Sequence, residues 1–437
     1  MKPGAQAAAA IAVLAEVEAR HRPVAEALKD WGRDHRFAGS GDRARIASLV
    51  YDALRRRASS AWRLGADEPR AWVLGALAFV RGHDAEEVAR LFADSPHAPE
   101  PLTESECAAL GGSSLAGAPP WVAGDYPEWL DAALARSFGE ARAAEGAALA
   151  ERAPLDLRVN ALKADRPKAA KALAHLHPAE TPLSPLGLRL PLLSDGRGPP
   201  VQAEPAFQKG LIEVQDEGSQ LAALLAAAAP GMQVVDFCAG AGGKTLALAA
   251  AMANHGQLYA HDDDLRRLAP LYERARRAGV RNLQIRSPRG DADVLGDLAA
   301  LADLVLVDAP CTGTGTWRRN PDAKWRLRPA ALDARIREQD AALAGAARLV
   351  KPGGRLVYVT CSLLAEENED RVAAFRTTRP EFVPVMAADA AAQAGLPALA
   401  RFATAAGGAF RLTPLQAGTD GFFIAVMRRL AGEGTLA

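Results

Sequence analysis

Val-Val-Asp-Phe-Cys-Ala-Gly-Ala-Gly-Gly-Lys-Thr, residues 234–245, decides the fold. Val234, Val235 and Phe237 make its first four residues a run short and branched enough for a buried strand, and they lead directly into a glycine-rich turn that opens a helical stretch. Strand, tight turn and helix in that order begin a parallel α/β sheet. In such a sheet, ligands bind where the carboxyl ends of the strands meet the loops. The alternation continues downstream. QLYAH, LQIR, DLVLVD, RLVYVT and DGFFIAVMRR are strand-like runs separated by helical segments, which predicts a doubly wound, Rossmann-like sheet. The last run follows a Thr-Asp-Gly turn and is expected to form an antiparallel edge strand.

Upstream the pattern differs. The first 125 residues read as helix, with apolar positions every three or four residues. SGDRARIASLVYDALRRR starts at a capping signal, Ser40 or Asp42. A Gly/Pro/Ser-rich strap covers Gly111 to Trp129, and a helix is expected from about Pro127 to Arg152. From Pro154 the period turns to alternation: LDLRVNALK and LGLRLPL read as strands around the helix RPKAAKALAHL, and LIEVQDEGSQLAALL passes from strand to helix. The expected domains are a helical domain over 1–125, a linking helix and small α+β subdomain over 126–225, and the sheet domain over 226–437.

Composition narrows the classes. The 52 basic and 52 acidic residues cancel, so no global field advertises nucleic acid and any such surface is local. Four cysteines, none in a CxxC pair, exclude a disulfide framework and a zinc ribbon and suit a reducing, cytoplasmic setting. No metal is expected. The alanine-rich start continues into Glu16, Glu18 and Arg20, which favours a first helix over a secretory signal. No apolar run approaches the ~20 residues of a membrane span.

Lys244 and Thr245 invite a nucleotide-triphosphatase reading, but the phosphate loop requires glycine where Cys238 stands. The dinucleotide spacing fails too, because Gly240, Gly242 and Gly243 run G-x-G-G. Cys238, Ala239, Gly240, Ala241, Gly242, Gly243 and Lys244 still bring backbone amides close to a ligand. Asp262, at the end of the second strand, is placed to accept from a ribose diol. A nucleoside cofactor without phosphates as its main handle fits, and S-adenosylmethionine is such a molecule.

Cys311, in DAPCTGTG, and Cys361, in VTCS, follow two further strands and should converge on the same face. A thiol with a pKa of about 8.5 is mostly protonated at neutral pH. Cys361 precedes Ser362 at an expected helix N-terminus, where the dipole favours thiolate. Cys311 lies in a Pro-Cys turn with less evident activation. Chemistry alone leans to Cys361 as nucleophile without excluding Cys311. Cys107 and the Cys238 thiol read as packing groups.

Two basic stretches are candidates for RNA. Arg318, Arg319, Lys324, Arg326 and Arg328 face one acid, Asp322, with Trp317 and Trp325 interleaved. That mixture suits phosphates and unstacked bases. Arg43, Arg45, Arg55, Arg56, Arg57 and Arg63 face only Asp42 and Asp52 locally. His175 and His177 have no partner ligands nearby in sequence and read as surface loop.

Three blocks together resemble one family. Asp236–Thr245, Asp308–Gly315 with Arg318–Asp322, and Thr360–Ser362 with Glu367-Asn368-Glu369 are similar to the signatures of the RNA cytosine-5 methyltransferases, the rRNA methyltransferase B and nucleolar methyltransferase group. VQDEGSQL, RLTPLQAGTDGFF and LDLRVNALK extend the resemblance, and GDRARIASLVYDALRRR resembles the NusB-like domain of the bacterial 16S branch. The resemblance implies S-adenosylmethionine-dependent methylation of cytosine C5, with Cys361 attacking C6 and Cys311 assisting release. It implies that Asp308 bonds the N3 or amino edge of the base and lines the cofactor side, and that Lys244 touches cofactor carboxylate or base. A monomer acting on 16S rRNA is expected; tRNA is the nearest alternative, and a non-catalytic assembly factor the rival from another class. The chain departs from the pattern at Gly240 and Ala241, where the family has alanine and proline. Ser287-Pro288-Arg289 stands where the family has an aspartate, with Asp291 slightly late.

Overall fold

The computed structural model describes residues 1–193, 196–290 and 292–431; Asp291 lies outside the described residues. The chain divides into two compact units, one built mainly of Met1–Ala153 with Thr316–Arg328, the other of Pro154–Leu193, Gly198–Gly315 and the chain from Pro329 onward.

The first unit is helical, including Pro3–Arg20, Val24–Asp34, Ser40–Arg55 and Arg57–Leu64. Ala7, Ala10, Leu14, Ile46, Val50 and Trp72 meet in its core. Two local expectations are corrected. The helix at Ser40 has Gly39 at its N-cap and no side-chain cap; Asp42 instead accepts from Gln6 at 2.9 Å and Arg45 at 3.1 Å. The single helix expected over 127–152 is broken into Asp131–Phe138 and Arg142–Leu149. Gly139, at φ +56°, ends the first of them in a conformation that favours glycine.

The block from Thr316 to Arg328 belongs to this helical unit, which takes Trp317, Arg318 and Lys324 out of the expected RNA surface while Arg328 stays exposed and Arg319 and Arg326 partly so. Trp317 and Lys324 are each 1% exposed and Arg318 is 5% exposed. Trp325 Nε1 donates to Leu54 O at 2.7 Å, Lys324 Nζ to Arg55 O at 3.3 Å, and Arg55 Nη1 to Arg318 O at 2.6 Å. The arginines of 42–63 are also largely spent. Arg57 stacks on Trp72 and Trp325 and pairs with Glu18 and Asp67, Arg56 pairs with Asp125 and Glu151, and Arg63 lies over Phe79. All four of these acids lie outside residues 42–63, so local charge counting missed them.

Burial pushes the Lys324 ammonium down to about 7, with Arg55 and Arg56 adding to the effect and Asp125 opposing it. Between that value and the usual lysine range, the unfolded chain binds the proton that the folded one lacks, so stability rises with pH. At about 1.4 kcal/mol per pH unit and proton, the helical unit should gain about 2 kcal/mol between about pH 7 and pH 9. All seven tryptophans lie in this unit, so urea unfolding followed by tryptophan fluorescence reads it selectively. Lys324→Met should flatten the profile; a wild-type profile already flat would contradict a neutral buried lysine.

The second unit holds both sheets. The smaller is antiparallel, with β1 (Leu155–Val159), β2 (Ala179–Glu180), β3 (Gly187–Leu190) and β4 (Ile212–Val214) in the order β2-β3-β1-β4. The larger contains β5 (Gln233–Asp236), β6 (Gln257–His261), β7 (Leu283–Arg286), β8 (Ala302–Asp308), β9 (Val350–Thr360), β10 (Phe382–Pro384), β11 (Phe410–Leu412) and β12 (Phe422–Arg429). Its order is β10-β12-β9-β8-β5-β6-β7, with β11 also on β12. The strands from β9 through β7 pair in parallel. Side chains alternate between faces: Leu304 and Leu306 of β8 enter one core, Val305 and Val307 the other. Helices covering both faces make this the Rossmann-like arrangement anticipated from the alternation.

β12 is antiparallel to β9, as expected, but it is not an edge. β10 and β11 pair beyond it. Six consecutive buried residues, Phe422 to Met427, explain the interior position. The strand order reverses between β5 and β8, which opens a crevice at their carboxyl ends. No helix among the described residues is long and apolar enough to cross a membrane.

Candidate active site

The loop after β5 forms one wall of the site. Gly242 has φ +84°, and a Cβ there would lie 2.2 Å from Leu271 Cδ1, so glycine is required by both conformation and space. It caps the helix Gly243–Ala251. Arg158 of β1 donates to Gly243 O at 2.8 Å and to Gln215 at 2.7 Å, fastening the small sheet to this loop. Arg158 was not foreseen, because it falls with Asp156 on the polar phase of the alternation, which reads as solvent-facing, whereas the fold buries it.

Beside the loop lies a cavity of about 450 Å³, lined in part by Phe237, Cys238, Asp262, Asp263, Arg267 and Pro310. Asp262 accepts from Gly240 N at 2.9 Å and Asp264 N at 3.0 Å, and pairs with Arg267. Burial holds Asp236 up at about 7, against the donated hydrogen bond from Thr245 Oγ1 at 2.6 Å. Its other oxygen, Oδ1, is buried without a partner among the described residues. An orphaned acceptor behind a glycine loop fits a ligand that brings a hydrogen-bond donor. Burial, reinforced by Asp236, Asp262 and Asp308, pushes the Cys238 thiol well up, which favours its protonated form.

The other wall is built by the loops after β8 and β9, which are paired strands. Lys244 Nζ donates to Asp308 Oδ2 at 2.7 Å and lies 5.1 Å from the Phe422 ring. Cys311 and Cys361 converge with their sulfurs 3.4 Å apart. The Cys361 sulfur beside it and burial push the Cys311 thiol well up, and the Glu367 charge adds to this. Cys311 therefore keeps its proton; either sulfur can donate to the other across this contact. The expected helix N-terminus at Cys361 is absent, because the next α-helix begins at Glu369. Cys361 lies in a bend that ends β9.

Backbone contact registers the two loops. Gly315 N donates to Cys361 O at 2.9 Å, and Gly421 N donates to Gly315 O at 2.8 Å. A Cβ on Gly315 would lie 2.3 Å from Gly421 O, so this crossing tolerates only glycine. Thr314 Oγ1 accepts from Leu363 N at 2.8 Å. The sequence-selected Lys244 and Asp308 thus form one pair and Cys311 and Cys361 another, on loops at the carboxyl ends of β5, β8 and β9. His175 lies apart, 3.0 Å from Glu204, a partner that lay too far along the chain to be read locally.

Residues 223–428 match the profile of the family described as 16S rRNA methyltransferase RsmB/F. The chain is 34% identical to the ribosomal RNA small subunit methyltransferase B of Xanthomonas campestris over 421 residues, covering 88% of this chain and 89% of that protein. It is 37% identical to a probable ribosomal RNA small subunit methyltransferase B of Synechocystis over 255 residues, where the match spans 57% of this chain and 56% of the relative. The crystal structure of PH0851 superposes with a TM-score of 0.70 at 26% identity, covering 98% of this chain and 99% of that one. The chain belongs to the 16S rRNA methyltransferase RsmB/F family.

Proposed function

We propose that this chain methylates carbon 5 of a cytosine in 16S rRNA through a covalent adduct between Cys361 and C6 of the base. Family membership makes it an RNA methyltransferase that uses S-adenosylmethionine. The observation that carries the finer reading is the pair of sulfurs 3.4 Å apart, with Cys311 three residues after Asp308, which Lys244 holds. C5 and C6 are adjacent ring atoms, so two sulfurs at that separation can serve one each.

S-adenosylmethionine supplies an electrophilic methyl group when bound, held by the 238–244 loop, Asp262 and the free oxygen of Asp236. Cys361 Sγ, once deprotonated, adds to C6 and the C5–C6 π pair moves to C5, which would take the methyl group as its bond to the cofactor's sulfonium sulfur breaks and leaves a neutral thioether. Asp308 holds the N3 or amino edge, with Lys244 fixing its carboxylate. Once Cys361 is a thioether, it can neither become a thiolate nor hydrogen-bond to Cys311 as before. Those are two of the causes that keep the Cys311 thiol high, so Cys311 can then release its own proton to solvent and act as base in its thiolate form. It takes the C5 proton, the C5–C6 double bond re-forms, and the Cys361 thiolate departs. A flipped base is required, since C6 is unreachable inside a stack.

The helical unit and the similarity across 88% of the chain to an rRNA methyltransferase favour 16S rRNA over tRNA. The test incubates the purified protein with labelled S-adenosylmethionine and unmodified 16S rRNA or tRNA, followed by nucleoside mass spectrometry. 5-Methylcytosine in 16S rRNA supports the proposal. Label in tRNA alone keeps the chemistry and moves the substrate. Cofactor binding without label on either RNA favours a non-catalytic assembly factor.

A further inference from the structure

Glu367 is fully buried, and four donors converge on its carboxylate. Thr312 N lies 2.8 Å and Gln339 Nε2 3.0 Å from one oxygen, while the hydroxyls of Thr312 and Ser362 both donate to the other. Thr312 directly follows Cys311, and Ser362 directly follows Cys361. One carboxylate therefore holds the residue next to each sulfur. Gln339 donates at 2.9 Å to Pro310 O, gripping Cys311 from its other side. Asn368 braces the second loop, donating to Ser362 O at 2.9 Å and accepting from Thr360 Oγ1 at 2.5 Å. None of these donors belongs to the cofactor loop.

We propose that Glu367 is a positioning residue that sets the separation of the two sulfurs by locking the Cys311 and Cys361 loops together. The proposal rests on the cysteine chemistry above and deepens it. Each loop hangs from its own strand, and an acceptor-only carboxylate is suited to collecting donors from both. A buried network of this kind holds one geometry when complete and loosens when a member is lost.

The test compares Glu367→Ala with Glu367→Gln in the full chain. The glutamine carbonyl can still accept from Thr312 N and Gln339, and its amide can donate to the two hydroxyls, which turn to accept. A misplacement of about 1 Å costs ~100-fold in rate, so Glu367→Ala should lose about that factor in kcat with KM for S-adenosylmethionine unchanged, and Glu367→Gln should recover most of it. A second readout does not depend on methylation. The azo oxidant diamide takes two electrons and two protons from a thiol pair, becoming a hydrazine as the disulfide forms. Cys311–Cys361 disulfide, read by peptide mass spectrometry, should form at least about tenfold more slowly in Glu367→Ala than in the wild type and Glu367→Gln.

If Glu367→Ala does not fold by thermal melting, Thr312→Val, which removes one hydroxyl contact, takes its place with the same expected direction in both readouts. A wild type that methylates nothing, with the disulfide rates ordered as stated, sinks the functional reading and leaves the positioning role standing. An active wild type with kcat and disulfide rate unchanged in these variants overturns the role of Glu367.

Discussion

Cys361→Ala should lower methyl transfer to below about one part in 10⁴ of the wild-type rate while leaving S-adenosylmethionine affinity intact. The size follows from what is removed. C5 of cytosine is a poor nucleophile until a sulfur adds at C6, and no other described group near the crevice offers a replacement. Cys311 cannot step in easily, because its thiol is held high by burial and by the neighbouring Glu367 charge. Cofactor affinity should hold because the 238–244 loop and Asp262 lie on other strands. Initial-rate assays with labelled cofactor, paired with calorimetric binding, read both quantities. Retention of more than about a hundredth of the rate would point to Cys311 as the attacking sulfur or to another reaction.

Cys311→Ala should fail differently. Cys361 keeps its loop, its backbone contact with Gly315 and its reach to C6, so addition and methyl transfer proceed once. Proton removal from C5 then lacks its base, a loss worth about 10²–10⁴-fold in that step. The protein should accumulate joined to methylated RNA, as a band that survives denaturing electrophoresis, with a burst of about one methyl group per protein before turnover stops. Turnover at the wild-type rate without such a band would remove Cys311 from the mechanism. A band from Cys361→Ala in place of Cys311→Ala would exchange the two roles.

Much of the site was legible before folding because its signals are local. A branched run followed by Gly240, Gly242 and Gly243 marks a strand, a turn and a helix start, and the structure uses Gly242 in that way at φ +84°. Cys311 and Cys361 each follow their strand within a few residues, so the parallel pairing of β8 and β9 was enough to bring them together. The activation of Cys361 by a helix terminus was misread because a Ser-Leu-Leu-Ala segment resembles a helix start. In the fold, those residues turn inward to meet Thr314, and Leu363 and Leu364 are buried. Gln339 was passed over, although a polar residue on the stripe of Ala342, Leu343 and Ala346 is the signal that could have found it.

The sequence by itself determined the helical first part, the order of strands and helices, the shape of the glycine-rich loop and the placing of two cysteines at strand ends. These depend on periodicity, glycine conformation and chain order, which act over a few residues. Only the tertiary structure decided the rest. It turned Trp317 and Lys324 from an RNA-facing surface into core of the helical unit, and it made β12 an interior strand. It also brought Gln339 and Thr312 to the Glu367 carboxylate from 28 and 55 residues away along the chain. Burial and hydrogen-bond partnership across such separations depend on which surfaces meet when the chain closes, and no local pattern of residues specifies that.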